Sequence, residues 1–149
     1  MTVETTLRLA NDFKNIIGIK EASGNVEQIC EILRRRPEGF TVLSGDDSIT
    51  LDLMKNGAEG VISVIGNALP STFSSLIHFA EEKRYEMAQE IQTRLAPVYG
   101  LLFKEGNPCG IKALLNAKNR VENVLRLPMV PVSQSTYNEI EEAYKGLDI

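Results

Sequence analysis

Three short apolar runs most constrain what this chain can build: NIIGIK at residues 15–20, FTVLS at 40–44 and GVISVI at 60–65. Each is too short to be a helix. Each is also too uniformly apolar for a strand with one face in water, so all three read as parallel strands that want cover on both faces. Helix signals separate them. Val3, Leu7 and Ala10 stand at helical spacing over residues 3–12. Asn25, with Gln28 three residues on, is a start signal for a helix whose apolar stripe is Val26, Ile29 and Leu33, and Pro37 and Gly39 close it. Asp47 is placed to cap a helix carrying Ile49 and Leu53, which Asn56-Gly57 ends. Pro70 suits the first turn of another. The runs begin roughly 20 to 25 residues apart, the repeat of a short βα unit.

Beyond residue 70 the strand pattern stops. Ala88, Ile91, Leu95, Val98 and Leu102 mark one long helix, which Pro97 is expected to kink or end. Asn107-Pro108 reads as a capping side chain followed by a proline in the first turn of a helix that runs on to Ala117. Residues 127–131, with two prolines, read as extended, and residues 135–145 as a last helix. The expected fold class is α/β, with a partial barrel of three βα units over residues 1–82 and an all-helical region over 83–149. Helices of the same chain can cover one face of three parallel strands. The other face would meet water or further protein.

Composition narrows the function classes. Apolar residues make up 43% and charged residues 24%, which excludes a disordered chain. A net charge of -4 with no basic stripe argues against nucleic acid, and Arg34 to Arg36 suit a helix C-terminus. No apolar run approaches the roughly 18 residues of a membrane span, and the polar first residues do not resemble a signal peptide. Two cysteines without CxxC spacing fit a reduced, cytoplasmic compartment. With one histidine, and no third ligand beside Asp46 and Asp47, no metal site is expected.

Lys20 is the residue that does not belong. It ends an apolar run, with Ile17 and Ile19 expected on one face and Ile16, Gly18 and Lys20 on the other. A lysine there can pair with a carboxylate, snorkel to solvent, or lose its charge and become a nucleophile able to form a Schiff base with a ketone. In a (β/α) barrel the catalytic groups stand at the C-terminal ends of strands, and Lys20 is at that end.

Five words in fixed order decide among these readings: GIKEASGN from Gly18, LSGDD from Leu43, GVISVIGN from Gly60, KEGNPCGIK from Lys104 and LRLPMVP from Leu125. Together they resemble the dihydrodipicolinate synthase family, pyruvate-dependent class I aldolases on a TIM (β/α)8 barrel, and the resemblance covers essentially the whole chain. It implies the C-terminal half of such a barrel, holding the last three strands and the helical tail. It makes Lys20 the Schiff-base lysine and Gly45 a glycine whose backbone lines the substrate pocket. Ile62 becomes the residue whose backbone contacts pyruvate. The implied reaction joins pyruvate to aspartate semialdehyde, with no metal or organic cofactor, in a homo-oligomeric complete protein. Related aldolases of the superfamily, acting on N-acetylneuraminate or keto-deoxy sugar acids, and a non-catalytic half-barrel are the alternatives. One departure stands out: where the family has Asn-Pro-x-Pro, this chain has Gly110 at the last position, which predicts a looser loop. The family's proton-shuttling tyrosine, threonine pair and carboxylate-holding arginine precede the matching region.

Overall fold

The computed structural model describes residues 1–147. Its elements alternate as the apolar runs dictate: α1 (Val3–Asp12), β1 (Gly18–Glu21), α2 (Val26–Arg35), β2 (Thr41–Ser44), α3 (Thr50–Lys55) and β3 (Gly60–Val61). Four helices follow: α4 (Pro70–Glu81), α5 (Tyr85–Phe103), α6 (Cys109–Ala117) and α7 (Gln134–Lys145). The three strands form one parallel sheet in the order β1-β2-β3, with Lys20 opposite Leu43 and Leu43 opposite Gly60. This is the partial barrel and helical tail expected of the sequence. The chain divides into two compact units, the first residues 1–63 with 77–85 and the second 64–76 with 86–149.

In the first unit the core lies between the sheet and α2 and α3. Ile29, Ile32, Phe40, Val42, Leu53 and Ala58 are buried together, with Val3, Ala10, Ile16, Ile19, Leu33 and Ile49 packed against them. Alternation along the strands puts Ile19, Glu21, Val42 and Ser44 on this helix-covered face and Lys20 and Leu43 on the other. Ile16 was expected beside Lys20. It precedes the strand, outside the alternation, and packs with the helix-side core instead. Asn25 caps α2 as its spacing requires, accepting from the Gln28 N–H at 3.0 Å. Glu59 ties the sheet to the end of α2. It accepts the Val42 N–H at 3.0 Å and both of its oxygens take the Arg36 guanidinium, at 2.5 and 2.7 Å. Burial acts to raise the Glu59 carboxyl, but the Arg36 guanidinium and the Val42 N–H outweigh it and hold the group below its ordinary value.

Several local expectations are corrected. The third run pairs as a strand only at Gly60 and Val61, and residues 65–67 form a 3₁₀ turn. An apolar run of this length does not distinguish a strand from a buried turn, and Ile65 is fully buried in that turn. Asp46, not Asp47, is the cap of the turn before α3: its carboxylate accepts from Ser48 N at 2.9 Å while Asp47 is buried one position inside. Pro108 rather than Asn107 occupies the cap position of α6, after a cis peptide bond, with no side-chain cap. Leu127 and Pro128 lie in a turn closed by Met129 N–H to Arg126 O at 3.0 Å, not in an extended segment.

In the second unit α5 runs through Pro97 to Phe103, burying Ala88, Ile91, Leu95, Val98 and Leu102. Gly110 overturns the expected loose loop. It is buried in the first turn of α6, and a Cβ there would overlap the Leu102 backbone of α5. The last turn of α5 and the first turn of α6 therefore meet with a glycine at the contact. Glu105 then fastens the start of α7, accepting from Ser133 N at 2.8 Å and Ser133 Oγ at 2.5 Å. Hydrogen bonds from Ser133 and Thr136 pull its carboxyl down to about 2.

Candidate active site

The C-terminal edge of the sheet gathers the residues the sequence singled out. Lys20 is the penultimate residue of β1, Gly45 directly follows β2, and Ile62 directly follows β3. Two backbone bonds carry the ladder one step past the strands: Gly45 N–H donates to Glu21 O at 2.7 Å and Ile62 N–H to Ser44 O at 2.9 Å. The three positions therefore sit at the strand ends from which a barrel presents its chemistry.

Lys20 and Gly45 are in intimate contact. A Cβ at Gly45 would lie 2.5 Å from Ala22 Cβ, 2.9 Å from Lys20 Cε and 3.0 Å from Glu21 O. The lysine stem thus lies over a backbone position where even a methyl group does not fit. Gly18 serves one step earlier, where a Cβ would come within 2.7 Å of Thr41 O. The Lys20 face of the sheet is open: Lys20 is exposed, and Ile62 is 49% exposed. Ile17, just before β1, is 73% exposed.

Beneath this edge lies a polar layer that the sequence reading passed over. Ser44 and Thr50 are both fully buried. The Thr50 hydroxyl donates to Asp46 O at 2.7 Å and lies 2.9 Å from Ser44 Oγ. Ser44 Oγ is itself 2.9 Å from Asp46 O and accepts the Asp46 N–H at 3.2 Å. Glu21, 7% exposed, turns to the helix side and holds the loop after Lys20, accepting from Ser23 N at 3.1 Å, Ser23 Oγ at 2.8 Å and Gln28 Nε2 at 3.3 Å. Nothing in the sequence singled these groups out: Ser44 and Thr50 bound the polar stretch SGDDSIT, and only their burial obliges each to find a partner. Among the described residues there is no cluster of three His, Cys, Asp or Glu able to hold a metal ion, and no helix is long and apolar enough to cross a membrane.

The sequence profile of the dihydrodipicolinate synthetase family matches residues 1–147. The chain belongs to this family. A curated relative, the 4-hydroxy-tetrahydrodipicolinate synthase of Porphyromonas gingivalis, is 58% identical over 134 residues, 89% of this chain and 45% of its own length. The dihydrodipicolinate synthase structure from Thermotoga maritima superposes with a TM-score of 0.93 at 37% identity, covering 96% of this chain and 50% of that one. The chloride-inhibited synthase of Acinetobacter baumannii, solved with pyruvate, gives 0.90 at 32% identity, covering 97% and 49%. The chain spans about half the length of the curated relatives it matches.

Proposed function

We propose that this chain supplies the Schiff-base half of a class I aldolase that condenses pyruvate with aspartate semialdehyde to 4-hydroxy-tetrahydrodipicolinate, with Lys20 as the nucleophile. The observation that carries the reading is the Lys20 stem seated on Gly45 at the strand ends of a family member. The neutral amine adds to the C2 carbonyl of pyruvate, the carbonyl oxygen takes up a proton as well as one from the amine, and water leaves, giving a protonated imine. The positive imine nitrogen makes the methyl group acidic. Loss of one methyl proton gives an enamine, whose carbon attacks the aldehyde while the aldehyde oxygen takes up a proton. The amino group of the second substrate then displaces the lysine as the ring closes. The imine is its own electron sink, so the steps balance with no redox partner.

Gly45 and Ile62 are read as the backbone lining of the pyruvate pocket. The complete protein is read as a homo-oligomer. The proton relay and the groups that hold the substrate carboxylates belong, in the family, to the half preceding the matched region. A positioned proton carrier is worth roughly 10² to 10⁴-fold in rate, and enclosure of an amine in a dry pocket favours its neutral form. An exposed Lys20 on an open sheet face has neither. These residues alone are therefore expected to bind pyruvate poorly and turn over little.

The decisive experiment uses a complete barrel, with the first half of the Porphyromonas gingivalis relative joined ahead of this chain. Borohydride in the presence of pyruvate should fix one adduct on Lys20, read by peptide mass spectrometry. An adduct confined to Lys55 or Lys112 would overturn the assignment. A panel of aldehydes offered with pyruvate separates the synthase from aldolases that act on sugar acids.

A further inference from the structure

The Lys20 contact with Gly45 depends on where the backbone of residues 44–46 runs, and a pair of buried hydroxyls lies against that path. Gly45 leaves the sheet immediately after β2, where no further strand residue holds it. Its N–H is held on one side by Glu21 O at 2.7 Å. On the other side Ser44 and Thr50, fully buried, converge on the Asp46 carbonyl at 2.9 and 2.7 Å, and Ser44 Oγ also accepts the Asp46 N–H at 3.2 Å. Thr50 is the first residue of α3, so the helix itself is the anchor. The pair spans the glycine: Ser44 precedes it and Asp46 follows it.

We infer that the Ser44–Thr50 hydroxyl pair is a positioning device for Lys20, holding the Gly45 backbone against the lysine stem and so setting where the amine meets the substrate ketone. This rests on the reading of Lys20 as the Schiff-base lysine. Neither hydroxyl is assigned a contact with substrate. Their effect passes through Gly45, which lies so close under the lysine stem that a Cβ added there would stand 2.9 Å from Lys20 Cε. Replacing the Thr50 hydroxyl by a methyl leaves the Asp46 carbonyl and Ser44 Oγ one partner short in a buried site. The cheapest relief is for the turn to move toward water, which carries Gly45 with it. Misplacing a reacting group by about an ångström can cost on the order of 10²-fold in rate.

The test compares Thr50→Val with Thr50→Ser, which keeps the hydroxyl. In the complete barrel described above, the rate of cyanoborohydride trapping on Lys20 at saturating pyruvate should fall about tenfold or more in Thr50→Val and return to within about twofold in Thr50→Ser. The loss should appear in kcat with little change in KM for pyruvate. In the 149-residue chain, amide exchange at Gly45 and Asp46 should quicken about tenfold in Thr50→Val while Ile19 and Val42 in the strands stay protected. That measurement needs no substrate, so it judges the clamp even if Lys20 proves not to form the adduct. A folded Thr50→Val with parental trapping and parental Gly45 exchange overturns the inference. Should Thr50→Val not fold, Ser44→Ala removes the other hydroxyl and is read in the same way. Collapse of both variants would make the pair a folding requirement and would equally overturn it.

Discussion

Gly45→Ala is the sharpest perturbation of the candidate site because its size can be worked from the backbone. The added methyl would come within 2.5 Å of Ala22 Cβ and 3.0 Å of Glu21 O, neither of which lies at the end of a flexible side chain. Lys20 Cε, at 2.9 Å, can swing away, but the other two contacts can be relieved only by moving the loop after β1 or the turn after β2. Overpacking of this kind costs about 1–3 kcal/mol. Separating the two segments also weakens the Gly45 N–H to Glu21 O bond, worth about 1 kcal/mol. Against this, alanine restricts the unfolded chain and returns about 0.4–1 kcal/mol, because Gly45 does not need a positive φ. The net expectation is a loss of about 1–3 kcal/mol. With a urea slope of about 1–3 kcal/mol per molar, the unfolding midpoint should fall by about 1 M. Far-ultraviolet circular dichroism reads the transition, and amide exchange at Gly45 and Glu21 reports whether the damage is local. A Gly45→Ala chain with the parental midpoint and parental exchange at these amides would refute the account of why glycine stands there.

Two other glycines should respond in opposite directions. Gly110→Ala forces a methyl into the Leu102 backbone and should lower stability by about 1–3 kcal/mol, while Gly100→Ala, mid-helix with open space around it, should raise it by about 0.5–1 kcal/mol, both read from urea midpoints. Glu105, with its folded carboxyl near 2 against an ordinary value of 4.5, contributes stability that is full above about 4.5 and lost as the pH falls from there toward 2. Thermal melts between pH 6 and pH 3 should show that loss in the parent chain and a smaller one in Glu105→Gln. Steady-state assay of the 149 residues with pyruvate and aspartate semialdehyde should give little or no turnover, and activity equal to that of a full-length synthase would contradict the need for a first half.

Much of the layout was legible because apolar periodicity and end signals act locally. Asn25 and Pro70 mark helix starts by spacing and by the geometry of proline, and both stand where they were read. The position of Lys20 at a strand end was legible for the same reason, since charge at the end of an apolar run is conspicuous. What could not be read depends on which groups meet across the fold. Asp46 and Asp47 are chemically identical, and only the depth of the turn decides which one caps and which is buried. Ile16 was placed toward Lys20, yet it packs under the helices, because β1 begins only at Gly18 and Ile16 lies outside its alternation. Thr50 gave no sign of its role in sequence, since a threonine at a helix start usually means a cap. Gly110 read as a loosened loop from its word alone and proved to sit against the Leu102 backbone, where a Cβ would not fit.

The strand order has a consequence for how the protein is made. Each strand pairs with its neighbour in sequence, Gly18 with Thr41 and Leu43 with Gly60, so every sheet contact closes a loop of no more than one helix. Such short loops are quick to close. As the chain leaves the ribosome, β2 can dock as soon as α2 is behind it, and β3 as soon as α3 is, with no need to wait for the helical tail. The sheet therefore can grow from β1 outward, with the β1 edge as its starting template. A first half synthesised ahead of it would meet that edge first, so the order of synthesis and the order of barrel closure would coincide.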